Sequence, residues 1–121
     1  MTKAKYFSES EFKKCTPKCS LQDMDQSFMS KLDTARSIAG IPFVLNSAYR
    51  SKEWEIKQGR TGTSSHCEGK AVDIRCGSDY NRFTIIDALL KAGFNRIGVA
   101  KTFIHVDSSI THSQKVTWLY Q

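Results

Sequence analysis

His66 and Asp73 stand seven residues apart in the stretch Ser64-Ser65-His66-Cys67-Glu68-Gly69-Lys70-Ala71-Val72-Asp73-Ile74. An imidazole and a carboxylate are both good ligands for a borderline-soft cation such as Zn²⁺. Gly69 permits a tight turn between them, and Ala71 to Cys76 alternates like the start of a strand. Asp73 is therefore expected on rigid backbone, with His66 approaching from a loop. A catalytic zinc takes three protein ligands and keeps one position open for water, so a third ligand must come from elsewhere. His105 is the better candidate, because Phe103-Ile104-His105-Val106-Asp107 reads as a strand whereas His112 sits in a polar loop. Along that strand Phe103, His105 and Asp107 share one face while Ile104 and Val106 point to the core.

Three blocks carry a resemblance. Ser64-x-His66-x-x-Gly69-x-Ala71-x-Asp73-Ile74, preceded by Ser47-Ala48-Tyr49-Arg50-Ser51 and followed by the late His105-x-Asp107 strand, is similar in content and order to the zinc D-alanyl-D-alanine carboxypeptidase and L-alanyl-D-glutamate endopeptidase family, which shares its fold with the Hedgehog signalling domain. The blocks cover roughly Pro42 to Asp107. The resemblance implies zinc held by His66, Asp73 and His105, and Arg50 polarising the scissile carbonyl. It also implies Ser64 and Tyr49 beside the substrate, and peptidoglycan stem peptide as that substrate. A small catalytic domain of this kind looks like a phage endolysin, acting on the cell wall after release. The family's usual general base, a carboxylate three residues or a histidine two residues before the last ligand, falls here on Thr102 and Phe103, which cannot serve. Asp107 is the candidate in their place, since same-face neighbours on a strand lie about 6.6–7 Å apart. Two alternatives stay open: His112 is the base, with its loop folded back over the metal, or Asp107 only orients His105 as a hydrogen-bond acceptor.

The elements that must position these groups read as follows. Ser8 with Glu11 has the form of a capping box for a short helix to about Cys15, stopped by Pro17. Ser20 with Asp23 starts a longer helix whose stripe of Met24, Phe28, Leu32, Ala35 and Ala39 is core, ended by Gly40. Phe43 to Ser47 reads as a buried strand, Ser51 to Gln58 as one or two helical turns, and 59–65 as a small polar loop able to close over a peptide. Ser78 caps a helix Asp79 to Ala92 with Phe83, Ile86, Leu89 and Leu90 inward. Phe94 to Ala100 and Phe103 to Asp107 form a hairpin, and Val116 to Tyr120 adds an edge strand. Helices early and strands late predict an α+β fold, a small antiparallel sheet with helices packed on one side.

The 121 residues, 40% hydrophobic and 25% charged, suit a single domain spanning 1–121 and exclude disordered and fibrous classes. No run of eighteen apolar residues and no hydrophobic leader occurs, so neither a membrane partner nor export is expected and the protein is placed in the cytoplasm. The net charge of +6 is scattered, without a basic block or interleaved aromatics, so no nucleic-acid partner is expected. The charge would favour encounter with an acidic cell wall, and the chain is expected to act as a monomer. Cys15, Cys19, Cys67 and Cys76 are expected as reduced thiols. Two rival classes remain, a zinc-holding but inactive peptidoglycan-binding or signalling module of the same fold, and a small basic nucleic-acid binder.

Overall fold

The computed structural model describes residues 1–120. Among these described residues are four α-helices, five strands and two 3-10 turns, the helices and strands being α1 (Glu9–Lys13), α2 (Gln26–Ala39), β1 (Leu45–Ser47), α3 (Lys52–Lys57), β2 (Ala71–Arg75), α4 (Asp79–Lys91), β3 (Arg96–Val99), β4 (Phe103–Asp107) and β5 (Val116–Leu119). The capping box closes α1, with the Ser8 N–H donating to Glu11 Oε2 at 2.8 Å. Ser51 and Ser78 cap α3 and α4 by accepting from Trp54 N and Asn81 N, each at 3.1 Å. Gly40 ends α2 at φ 69°, in the left-handed region that favours glycine.

The second helix departs from its expected start. Ser20 and Asp23 cap only the 3-10 turn Leu21–Asp23, Met24 swings to extended backbone, and Asp25 caps α2 afresh by accepting from Phe28 N at 2.9 Å. The break has a partner: Asp25 N–H donates to the carbonyl of Gly69 at 2.9 Å. Gly69 sits at φ 72°, and a Cβ there would collide with the carbonyl of Asp23. The turn between His66 and Asp73 is thus docked on the start of α2, and glycine is required for both conformation and close approach.

The sheet order is β1-β2-β4-β3-β5. The first four strands pair antiparallel, while β5 joins β3 in parallel, so the sheet is mixed at its last edge. Register fixes the faces, because residues directly opposite one another point the same way. Val72, Val106 and Ile97 form one row and Ile74 and Ile104 another; all five are buried in a cluster with Phe28, Leu32, Ile85 and Leu89 from α2 and α4. Each such side chain contributes on the order of 1.5–3 kcal/mol by leaving water. The opposite face carries the row Asp73, His105, Gly98, Trp118.

On α4 the buried stripe is Ile85, Ala88 and Leu89, while Phe83 and Leu90 are 71% and 57% exposed, against the expected inward face. Apolar residues at 83, 85, 86, 88, 89 and 90 wrap too much of the helix for periodicity to choose a side, and packing against α2 and β4 chooses it instead. Among the described residues no helix is long and apolar enough to cross a membrane. All four cysteines are free thiols.

Candidate functional site

The site is assembled from three chain segments tied by backbone bonds. Ser64 caps the 3-10 turn Ser65–Glu68 by accepting from His66 N at 3.1 Å, and this presents the His66 ring above the sheet. Arg50 N–H donates to the His66 carbonyl at 3.2 Å, which ties the end of β1 to that turn. Asp73 and His105 are register partners on β2 and β4. One atom from each of His66, Asp73 and His105 lies within 4.8 Å of the other two, and all three residues are buried.

Hydrogen bonding orients the donors. His66 Nδ1 is 2.6 Å from the carbonyl of Ala48, which only accepts, so Nδ1 carries the proton and Nε2 is left bare. His66 Nε2 lies 3.4 Å from Asp73 Oδ1. His105 Nε2 donates to Asp107 Oδ2 at 2.7 Å, which turns Nδ1 toward Asp73 Oδ1 at 2.9 Å. Two imidazole nitrogens and one carboxylate oxygen therefore converge, each ring anchored by its far nitrogen, the arrangement that metal-ligating histidines use to fix tautomer and direction. The set could hold a metal ion, and its mixed nitrogen and oxygen character fits zinc.

Electrostatics follow from the same contacts. Burial opposes ionisation of Asp73, but the His105 and His66 rings beside its carboxylate outweigh it and hold the carboxyl well below the usual range. Burial likewise opposes ionisation of Asp107, yet His105 and Arg96 bring its pKa down to about 2. Burial would depress His105, and its bonds to Asp107 and Asp73 raise it instead.

These three residues sit in a cavity of about 390 Å³ that is also lined by Arg50, Ser64, Asp107 and His112. Arg50 donates from Nη2 to Asp73 Oδ2 at 3.2 Å and from Nε to Ser47 Oγ at 2.9 Å. Asp107 is fully engaged: besides His105 it accepts from Arg96 Nε at 2.6 Å, Ser65 Oγ at 3.1 Å and Ser109 N at 3.1 Å. Tyr49 departs from the expected set, because it is half-buried against the hydrophobic core and does not line the cavity. His112 is brought in by its loop folding back.

Several cavity residues carried no signal in the sequence. Glu55 lines the cavity, is 0% exposed and ion-pairs through Oε2 with Arg60 at 3.0 Å and with Arg50 at 3.7 Å. Trp118 and Tyr120 wall the other side, with the Trp118 ring 5.5 Å from His105, and Gly98 lies beneath both. The alternation of 116–120 hinted at a strand, but nothing in it gave the face or the neighbour.

A family model described as Peptidase M15 matches residues 5–107, the span from ahead of α1 to the end of β4. Among curated proteins none matches the chain.

Proposed function

Since the chain belongs to the peptidase M15 family, we propose that it is a zinc-dependent peptidase that hydrolyses peptide bonds of the peptidoglycan stem peptide, of D-Ala-D-Ala carboxypeptidase or L-Ala-D-Glu endopeptidase type, as a single catalytic domain. The observation that carries this reading is the convergence of His66 Nε2, Asp73 Oδ1 and His105 Nδ1 with both far ring nitrogens anchored. Zinc, when bound there, supplies Lewis acidity that lowers the pKa of water and polarises a carbonyl.

The remaining steps belong to the chain's own groups. Arg50 has five N–H donors, of which two are spent on Ser47 and Asp73. Nη1 faces Glu55 at 3.7 Å, and the second Nη2 proton is available for the oxygen on which negative charge develops, a contribution on the order of a few kcal/mol for one well-placed donor. Ser64 lines the cavity and can accept from or donate to the substrate backbone beside its capping bond. Trp118 and Tyr120, their rings tilted 59° to one another, supply an apolar wall against which a small D-residue packs. Asp107, with every acceptor position facing a donor, serves to hold His105 rather than to accept a proton from water.

Purified protein incubated with peptidoglycan fragments, with and without chelator, and read by product mass, tests the reading. Chelator-sensitive release of an amino acid or a shortened peptide supports it. Metal content of the His66→Ala, Asp73→Ala and His105→Ala variants tests the ligands, and full occupancy in all three removes them. One equivalent of bound zinc without hydrolysis would favour an inactive binding or signalling module instead.

A further inference from the structure

With Thr102 and Phe103 unable to take a proton and Asp107 fully engaged, the cavity needs another group for that task. His112 lines the same cavity as His66, Asp73 and His105, but does not join the cluster of potential ligand atoms. Its surroundings favour one tautomer. Ser109, fully buried, brings Oγ to 2.9 Å from Glu68 Oε2, and Thr111 brings Oγ1 to 3.2 Å from the same oxygen. Each hydroxyl has one proton, and the charged Glu68 carboxylate, which only accepts, is the strongest acceptor within its reach; the two hydroxyls also lie 3.0 Å from each other, where either can donate. With those protons directed at Glu68, both hydroxyl oxygens act as acceptors toward His112 Nδ1, which lies 2.8 Å from Ser109 Oγ and 3.2 Å from Thr111 Oγ1. In that arrangement Nδ1 carries the proton. Nε2 is left with its lone pair and makes no hydrogen bond among the described residues.

We propose that His112 is the general base and acid of the reaction, with Glu68 acting as a positioning residue through the hydroxyls of Ser109 and Thr111. This rests on the peptidase reading above. The oxygen of the attacking water bonds to the scissile carbonyl carbon while one of its protons moves to His112 Nε2. The C–N bond then breaks as that proton passes to the departing amine nitrogen, and no oxidation state changes. The imidazolium formed in between is stabilised by the Glu68 carboxylate, 3.9 Å from Nδ1, through the two hydroxyls. The Peptidase M15 match ends at residue 107, so this loop lies outside the matched span.

The test combines kinetics with a readout that does not need turnover. In ¹⁵N-labelled protein, with and without zinc, long-range proton–nitrogen spectra should show His112 protonated at Nδ1 and bare at Nε2; a proton on Nε2 overturns the proposal. His112→Gln should keep one equivalent of zinc and a near-wild-type KM while kcat falls ~10²- to 10⁴-fold. Unchanged kcat overturns the base assignment, and loss of zinc overturns it in favour of a fourth ligand. Glu68→Gln should retain zinc and shift His112 toward a mixture of tautomers, and an unaltered tautomer would remove Glu68 from the relay. Wild-type protein that holds zinc and cleaves no peptide fails at the peptidase reading itself, whereas active wild type with an equally active His112→Gln fails only here.

Discussion

Arg50 Nη2 and Asp73 Oδ2 form an ion pair at 3.2 Å, while the other oxygen of the same carboxylate meets His105 Nδ1 at 2.9 Å and His66 Nε2 at 3.4 Å. One oxygen is held by the arginine and one is offered to the histidine pair. The residue expected to act on the substrate carbonyl is thus also the residue that fixes a candidate ligand, and the two roles fall together when it is removed.

Arg50→Ala is expected to weaken zinc by ~10- to 100-fold, as loss of a partner that orients a ligand does, and to lower kcat at saturating metal by ~10²- to 10³-fold. Arg50→Lys keeps the charge but not the planar fork, so metal affinity should recover further than kcat. Chelator competition and single-turnover kinetics measure the two separately. Wild-type zinc affinity in Arg50→Ala would break the link to Asp73.

Asp107→Asn tests whether that carboxylate orients or catalyses. Its four donors, His105, Arg96, Ser65 and Ser109, predict weaker zinc by ~10- to 100-fold. A stability loss of ~3–5 kcal/mol should accompany it, because the buried Arg96 loses its counter-charge. Unchanged metal affinity with kcat down ~10²- to 10⁴-fold would make Asp107 the base after all.

The pH dependence should change sign with metal. Asp107, depressed to about 2 in the fold against roughly 4 in the unfolded chain, gives stability that is present above pH ~4 and lost as the pH falls toward 2. His105 is raised in the fold, so its contribution is present below roughly pH 6.5 and lost as the pH climbs through its folded value. Chelated protein should therefore be most stable between about pH 4 and 6.5. Zinc requires the imidazoles deprotonated, so the extra stability it confers should grow from pH 5 to 8. Denaturant midpoints from about pH 2 to 9, with and without chelator, check both slopes; a chelated midpoint that rises steadily from pH 6 to 9 contradicts the His105 part.

Gly98→Ala probes the aromatic wall. A Cβ at this position would stand 2.6 Å from Trp118 Nε1 and 2.6 Å from Tyr120 Cε2, so both rings must move. The expected result is bound zinc with KM raised severalfold. Wild-type KM with displaced rings would show that the wall does not touch substrate.

Much of this architecture was legible because its signals are local. The serine caps at Ser8, Ser51 and Ser78 are each satisfied by a residue three positions away, and Gly40 stops a helix through its own backbone freedom. The spacing from His66 to Asp73 around Gly69, and the alternation of Phe103 to Asp107, likewise depend only on neighbours in the chain. Local periodicity failed where it was degenerate, as on α4, where apolar residues surround the helix and only packing against α2 decides that Ile85 is inside and Phe83 outside.

What the tertiary structure alone decided is non-local. Strand register sets Asp73 opposite His105 and Gly98 beside Trp118, and the parallel addition of β5 brings the aromatic wall over the site. Glu55 is buried because Arg60 and Arg50 close over it, and the 108–115 loop folds back because Ser109 and Thr111 reach Glu68, more than forty residues away. Composition and short-range spacing name the residue types capable of this chemistry. Which nitrogen of His66 is bare is set by the carbonyl of Ala48 on another segment, and the hydroxyls that face His112 are oriented by the distant Glu68, so no short sequence window contains these partners.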